Sequence, residues 1–193
     1  MTGSGTAQSR TARSLAAGRK AAASISGGTN LIAIYLNDHL AGATGGTELA
    51  RRAAAAAGGT ALAANLRRFA DEVTQDRATL LQIMDKLGVP VRRYKVYAAW
   101  AGEKAGRLKL NGHLTSRSPL SSLEELEMLR LGVEGKAAGW RTLRALADRD
   151  SRLDPGQLDG LIERARHQSQ TLEELRIRAS ADVIAASNPA THR

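Results

Sequence analysis

At 193 residues and a formal net charge of +9, the chain is long enough for one domain of about 150 residues with a buried core, and basic enough to attract polyanions. It has no cysteine, which excludes disulfides, thiolate metal sites and thiol nucleophiles and suits a reducing cytoplasm. Only six residues are aromatic, Ala and Leu dominate, and no run alternates like a strand, so an all-α protein is expected; no apolar run reaches the roughly 18–20 residues of a membrane span.

The first segment, "MTGSGTAQSRTARSLAAGRKAAASISGGTN", carries Arg10, Arg13, Arg19 and Lys20 and no acidic residue. With little to bury, residues 1–30 are expected to be a disordered basic arm, either a solubilising tail or a strand that lies along DNA phosphates or an acidic surface. A helix follows from about Leu31 to Ala57, with Leu36, Leu40, Ala43, Thr47, Ala50 and Ala54 on its inner stripe. "GGT" at 58–60 supplies a stop and a new N-cap. The second helix runs from about Ala61 to Leu87 and ends at "LGVP", where Gly88 takes the left-handed cap and Pro90 prevents continuation. Its stripe is Leu62, Leu66, Phe69, Val73, Asp76, Leu80, Ile83 and Leu87, a core seam with one carboxylate in the middle.

After a basic link, "VYAAWAGEKAGRLKLNG" reads as a short helix stopped by Asn111 and Gly112. A third long helix starts with Ser118 as cap and Pro119 in the first helical position. The fourth starts at "LDPGQL", with Asp154 as cap and Pro155 entering, and continues towards Ile184 on a stripe of Leu158, Leu161, Ala165, Gln168, Leu172, Leu175 and Ala179. Residues 185–193 read as a frayed tail, leaving 31–184 as the helical domain. Short turns join the first two helices and the last two, whereas about 30 residues separate the pairs. Two antiparallel hairpins joined by a long crossover that holds a short helix suit a ferritin-like four-helix bundle better than a plain up-down-up-down bundle with an ornamental loop, which stays open as the alternative.

At residue level, "RRFADEVTQDRATLLQIMDKLGVPVRRYKVYAAWAGEKAGRLKL" resembles the second helix and crossover of small bacterial ferritin-like proteins. The resemblance implies a diiron or manganese site of inward carboxylates and Glu-x-x-His pairs, with ferrous oxidation or peroxide handling as its chemistry. No Glu-x-x-His occurs here; the nearest spacing is Glu163 to His167. The candidate ligands are Glu72 and Asp76 on the second helix, Glu127 and Glu134 seven residues apart on the third, His167 beside Gln168 on the fourth, and His39 at the edge of the first stripe. Such oxygen-rich donors suit iron or manganese.

A buried carboxylate also finds its charge partner in arginine, and Arg130 and Arg144 lie on the third helix. A hydrogen-bonded, ion-paired layer built from these residues and Gln168 would fix helix register without metal, in a noncatalytic bundle that serves as a binding or nucleoid-associated module through its basic arm. Self-association of such a bundle is compatible with both readings. "GATGG" at 42–46 has no phosphate-loop Lys, so a close helix contact or a kink is expected there; no Ser-His-Asp order or nucleotide fingerprint appears.

Overall fold

The computed structural model describes residues 5–59, 61–92 and 119–187, with side chains from 31 onward apart from 61. The expected short crossover helix with Trp100 and Glu103, the basic residues Arg93 and Lys95, the Thr60 and Ser118 caps and the end of the tail lie outside the described residues. Among the described residues there are four helices and no strand: α1 (Gly5–Ala56), α2 (Ala61–Lys86), α3 (Pro119–Ala147) and α4 (Pro155–Ser187). The all-α expectation is met. α1 begins well before the Leu31 boundary read from the sequence, within the segment expected as a disordered arm. That segment contains no proline, and its many alanines and arginines favour helix. By its internal contacts the chain divides into two units, Met1–Leu36 and Asn37–Arg193. None of the described helices is long and apolar enough to cross a membrane.

The helix ends follow local chemistry. Gly58 and Gly88 hold φ of +65° and +68°, the left-handed conformation that closes α1 and α2. The amide of Gly88 donates to Asp85 O at 2.9 Å and that of Val89 to Met84 O at 2.8 Å, which satisfies carbonyls the helix leaves open. Asp154 caps α4 as expected, its Oδ1 accepting from the amides of Gly156 at 2.9 Å and Gln157 at 3.2 Å, and Pro155 needs no such acceptor.

The apolar stripes are buried. All seven residues read on the α4 stripe are inside, Gln168 among them. On α2 Leu66, Phe69, Asp76, Leu80, Ile83 and Leu87 are buried, joined by Ala63, Ala70 and Met84; Leu62 and Val73 are only half-buried. On α3 the buried face is Leu126, Leu129, Val133, Ala137, Gly139, Trp140 and Leu143. Glycines 42 and 46 in α1 correct the expected close contact: a Cβ at either would meet nothing within 4 Å.

Named contacts set the order of the helices within 37–193. Between α3 and α4, Arg144 meets Asp159 at 3.0 Å, Glu134 meets Ser169 at 2.7 Å, Arg130 meets Glu173 at 3.5 Å and Glu127 meets Arg176 at 3.8 Å, so numbers fall along one helix as they rise along the other. Between α1 and α2, Arg77 donates to Thr44 at 3.0 Å and Arg51 to Thr74 at 3.4 Å, again in opposite order. α2 and α4 touch through Glu72 and Gln168, and through Asp76 and Arg164. α1 reaches α3 where the His39 ring lies against Gly139.

Two further contacts fasten the end of α2. Buried Asn37 donates Nδ2 to Pro90 O at 3.1 Å and accepts from the Arg92 amide at 2.7 Å. From the α3–α4 turn, Arg152 Nη1 donates to Leu87 O at 3.1 Å, while its other nitrogens grip the Asp150 carboxylate at 2.9 and 2.6 Å. That grip holds the Asp150 carboxyl below its usual range. The C-terminal end of α2 therefore sits beside the C-terminal end of α3.

Candidate functional site

The midpoint of the bundle holds one polar layer. Asp76, in register with Phe69 and Ile83 on the α2 stripe, is 2 % exposed, and Gln168, between Ala165 and Leu172 on α4, is equally buried. Lys136 of α3 reaches between them: Nζ lies 2.6 Å from Asp76 Oδ2 and also donates to Gln168 Oε1. Arg164, one turn before Gln168 on α4, donates Nη1 to the other carboxylate oxygen of Asp76 at 3.0 Å. Gln168 completes the layer with its amide, donating to Glu72 Oε2 at 2.9 Å and to Asp76 Oδ2 at 3.3 Å. Two carboxylates thus face two cations, with a neutral amide linking them.

Each group has a reason to be charged and a cost for being so. Burial pushes the Lys136 ammonium below its usual range, and the attraction of Asp76, and then of Glu72, offsets this only in part; Arg164 adds to the depression. The long Lys136 stem passes from α3 while only its head enters the layer. Arg164 remains partly open to water, so its share of the pairing is screened.

The six residues read as candidate metal ligands do not converge. Glu72 and Asp76 lie in the layer, one turn apart. Glu127 and Glu134 are on the exposed flank of α3 facing α4, paired with Arg176 and Ser169. His167 is on the outer surface, 3.0 Å from Glu163 and 3.1 Å from Arg166. His39 is half-buried against Gly139, and burial lowers its pKa, with Asp38 opposing in part. Among the described residues no three His, Asp or Glu side chains come together as a metal site.

The donor set does not fit iron or manganese. Such ions need several oxygen or imidazole ligands near 2 Å. Both oxygens of Asp76 are already taken by cationic donors, and an ion placed there would be repelled by Lys136 and Arg164.

The sequence pattern identified Asp76, Glu72 and Gln168 as members of the layer but not the cations that meet Asp76. Arg130 and Arg144, the arginines expected to meet Asp76, instead pair with Glu173 and with Asp148 and Asp159. A signal for the true partners was present. Lys136 is three residues after Val133 and four before Trp140, at the edge of the α3 stripe, and Arg164 stands three after Leu161 and four before Gln168. Comparison with protein-family models, curated proteins and solved structures gave no match.

Proposed function

We propose that this chain is a noncatalytic helical bundle of ferritin-like arrangement that acts as a nucleic-acid-binding module, with a buried charged layer that fixes helix register and a basic N-terminal segment, Met1–Asn30, that meets DNA phosphates. The observation that carries the first part is the occupation of Asp76 by Lys136 and Arg164. A carboxylate held by two cationic donors and an amide has its charge balanced within the protein, and its geometry specifies one alignment of α2, α3 and α4.

The contact order supports the arrangement. Opposite numbering across α1–α2 and α3–α4 suits two antiparallel hairpins. The Arg152 bond to Leu87 O brings the end of α2 near the end of α3, an order of helix ends that suits two hairpins joined by a long crossover. The segment 1–30 supports the partner, carrying four positive side chains and no negative one.

The competing reading is iron or manganese binding with ferrous oxidation or peroxide handling. Metal analysis and thermal unfolding of the full chain separate the two. In the register reading, protein purified without chelator carries less than about 0.1 iron or manganese per chain, and neither ion nor chelator moves the midpoint by more than about 1 °C. One or two ions per chain with a rise of several degrees would overturn it.

A further inference from the structure

A second basic stretch occurs in the chain besides the N-terminal segment. From Leu49 to Ala70 the chain contains Arg51, Arg52, Arg67 and Arg68 and no acidic residue; carboxylates resume only at Glu48 and Asp71. The stretch is the tip of the α1–α2 hairpin, closed at Gly58, and all four arginines are exposed. Among the described arginines outside the tip, Arg130, Arg144, Arg152, Arg164, Arg166 and Arg176 each pair with a carboxylate. Among the described residues none of the four tip arginines is in an ion pair. Arg68 is held by Asn65 Oδ1 at 2.7 Å and Arg51 leans on Thr74 at 3.4 Å, neutral partners that orient a guanidinium without cancelling its charge.

The shape of the tip suits a broad polyanion. Ala55, Ala56, Gly58 and Gly59, at the turn between the two arginine pairs, are exposed and small. The negative end of the α1 dipole and the positive end of the α2 dipole meet at the turn and oppose one another, leaving the arginines to set the sign of the field. Arg pairs on two neighbouring helices, whose axes pack about 8–10 Å apart, present guanidinium forks suited to phosphate oxygens.

We infer that the tip of the α1–α2 hairpin is a nucleic-acid-binding surface, with Arg51, Arg52, Arg67 and Arg68 contacting backbone phosphates of duplex DNA without reading sequence. The inference rests on the proposed function for its choice of partner and adds a site that the N-terminal segment does not supply. Phosphate contact alone confers no base specificity, so affinity follows salt rather than sequence.

Fluorescence anisotropy of the full chain on a duplex of arbitrary sequence, titrated at several salt concentrations, tests it. Three full-length variants are compared: the tip set Arg51→Gln, Arg52→Gln, Arg67→Gln and Arg68→Gln; the N-terminal set Arg10→Gln, Arg13→Gln, Arg19→Gln and Lys20→Gln; and a charge-matched set at exposed positions elsewhere, Lys86→Gln, Arg141→Gln, Arg149→Gln and Arg178→Gln. Circular dichroism checks that each remains helical. The expected result is a loss of at least about tenfold in affinity for the tip set, with the salt dependence falling by about 0.9 per phosphate contact removed, and less than about threefold for the charge-matched set. Equal losses in those two sets would mean diffuse attraction and overturn the inference, as would a parent chain that binds no DNA. A loss confined to the N-terminal set overturns the tip while sparing the arm; a loss confined to the tip set does the reverse. Tip-dependent binding to phosphatidylserine vesicles with tip-independent binding to DNA would also overturn it.

Discussion

Asp76 and Lys136 are worth more together than either is alone. Removing one charge from a buried pair strands the other, whereas replacing both by apolar groups of similar volume removes the desolvation cost as well. Asp76→Asn leaves the Lys136 ammonium buried beside a neutral amide and is expected to cost about 3–5 kcal/mol. Lys136→Met is expected to cost less, because Asp76 keeps Arg164 and the Gln168 amide. The double replacement Asp76→Leu with Lys136→Met is expected to lose less than Asp76→Asn alone. Arg164→Gln belongs near the bottom of the scale, under about 1 kcal/mol, since its exposed guanidinium is already hydrated. Urea unfolding in the presence of chelator measures all four. Independent, additive losses for Asp76 and Lys136 would mean the pair does not hold register.

At the scale of the element, α3 carries three glycines that look alike in sequence and differ in surroundings. A Cβ at Gly132 or Gly135 would meet nothing within 4 Å, whereas one at Gly139 would lie 3.1 Å from Cε1 and Nδ1 of His39. Alanine in a helix interior gains about 0.5–1 kcal/mol over glycine by restricting the unfolded backbone. Gly132→Ala and Gly135→Ala should each raise stability by that amount. Gly139→Ala should gain less or lose, since the half-buried His39 ring must move aside, and should recover its gain when His39 is also changed to Ala. Equal gains at all three positions, read from urea midpoints, would show that the α1–α3 contact at His39 is not tight. The same comparison shows what periodicity could tell of an element: it marked which α4 residues face inward, because one helix has one azimuthal pattern, but it could not say which glycine meets a ring from another helix.

Within residues 37–193 the order of the helices turns on the direction in which α2 and α3 run. With no native cysteine, single Cys pairs can be introduced and spin-labelled without background. The Arg152 bond to Leu87 O predicts a separation under about 20 Å for Lys86→Cys with Arg149→Cys, and about 40 Å for Lys86→Cys with Leu120→Cys, the length of a 29-residue helix. Electron–electron distance measurements giving the reverse order would replace the proposed crossover arrangement with a plain up-down-up-down bundle. The sequence by itself determined the helical class, the stops at Gly58 and Gly88, the cap at Asp154, and the burial of Asp76 and Gln168. All of these depend on chemistry within a few residues or on the spacing of one apolar stripe. Tertiary structure decided which cation meets Asp76, why Asn37 is buried, and why Glu127, Glu134 and His167 never share a site. Spacing along a helix fixes the angle of each side chain about its own axis, but not the axial height at which that helix docks against another. Height is set only when all the stripes interlock, and a shift of one turn would exchange Lys136 for a different neighbour of Asp76.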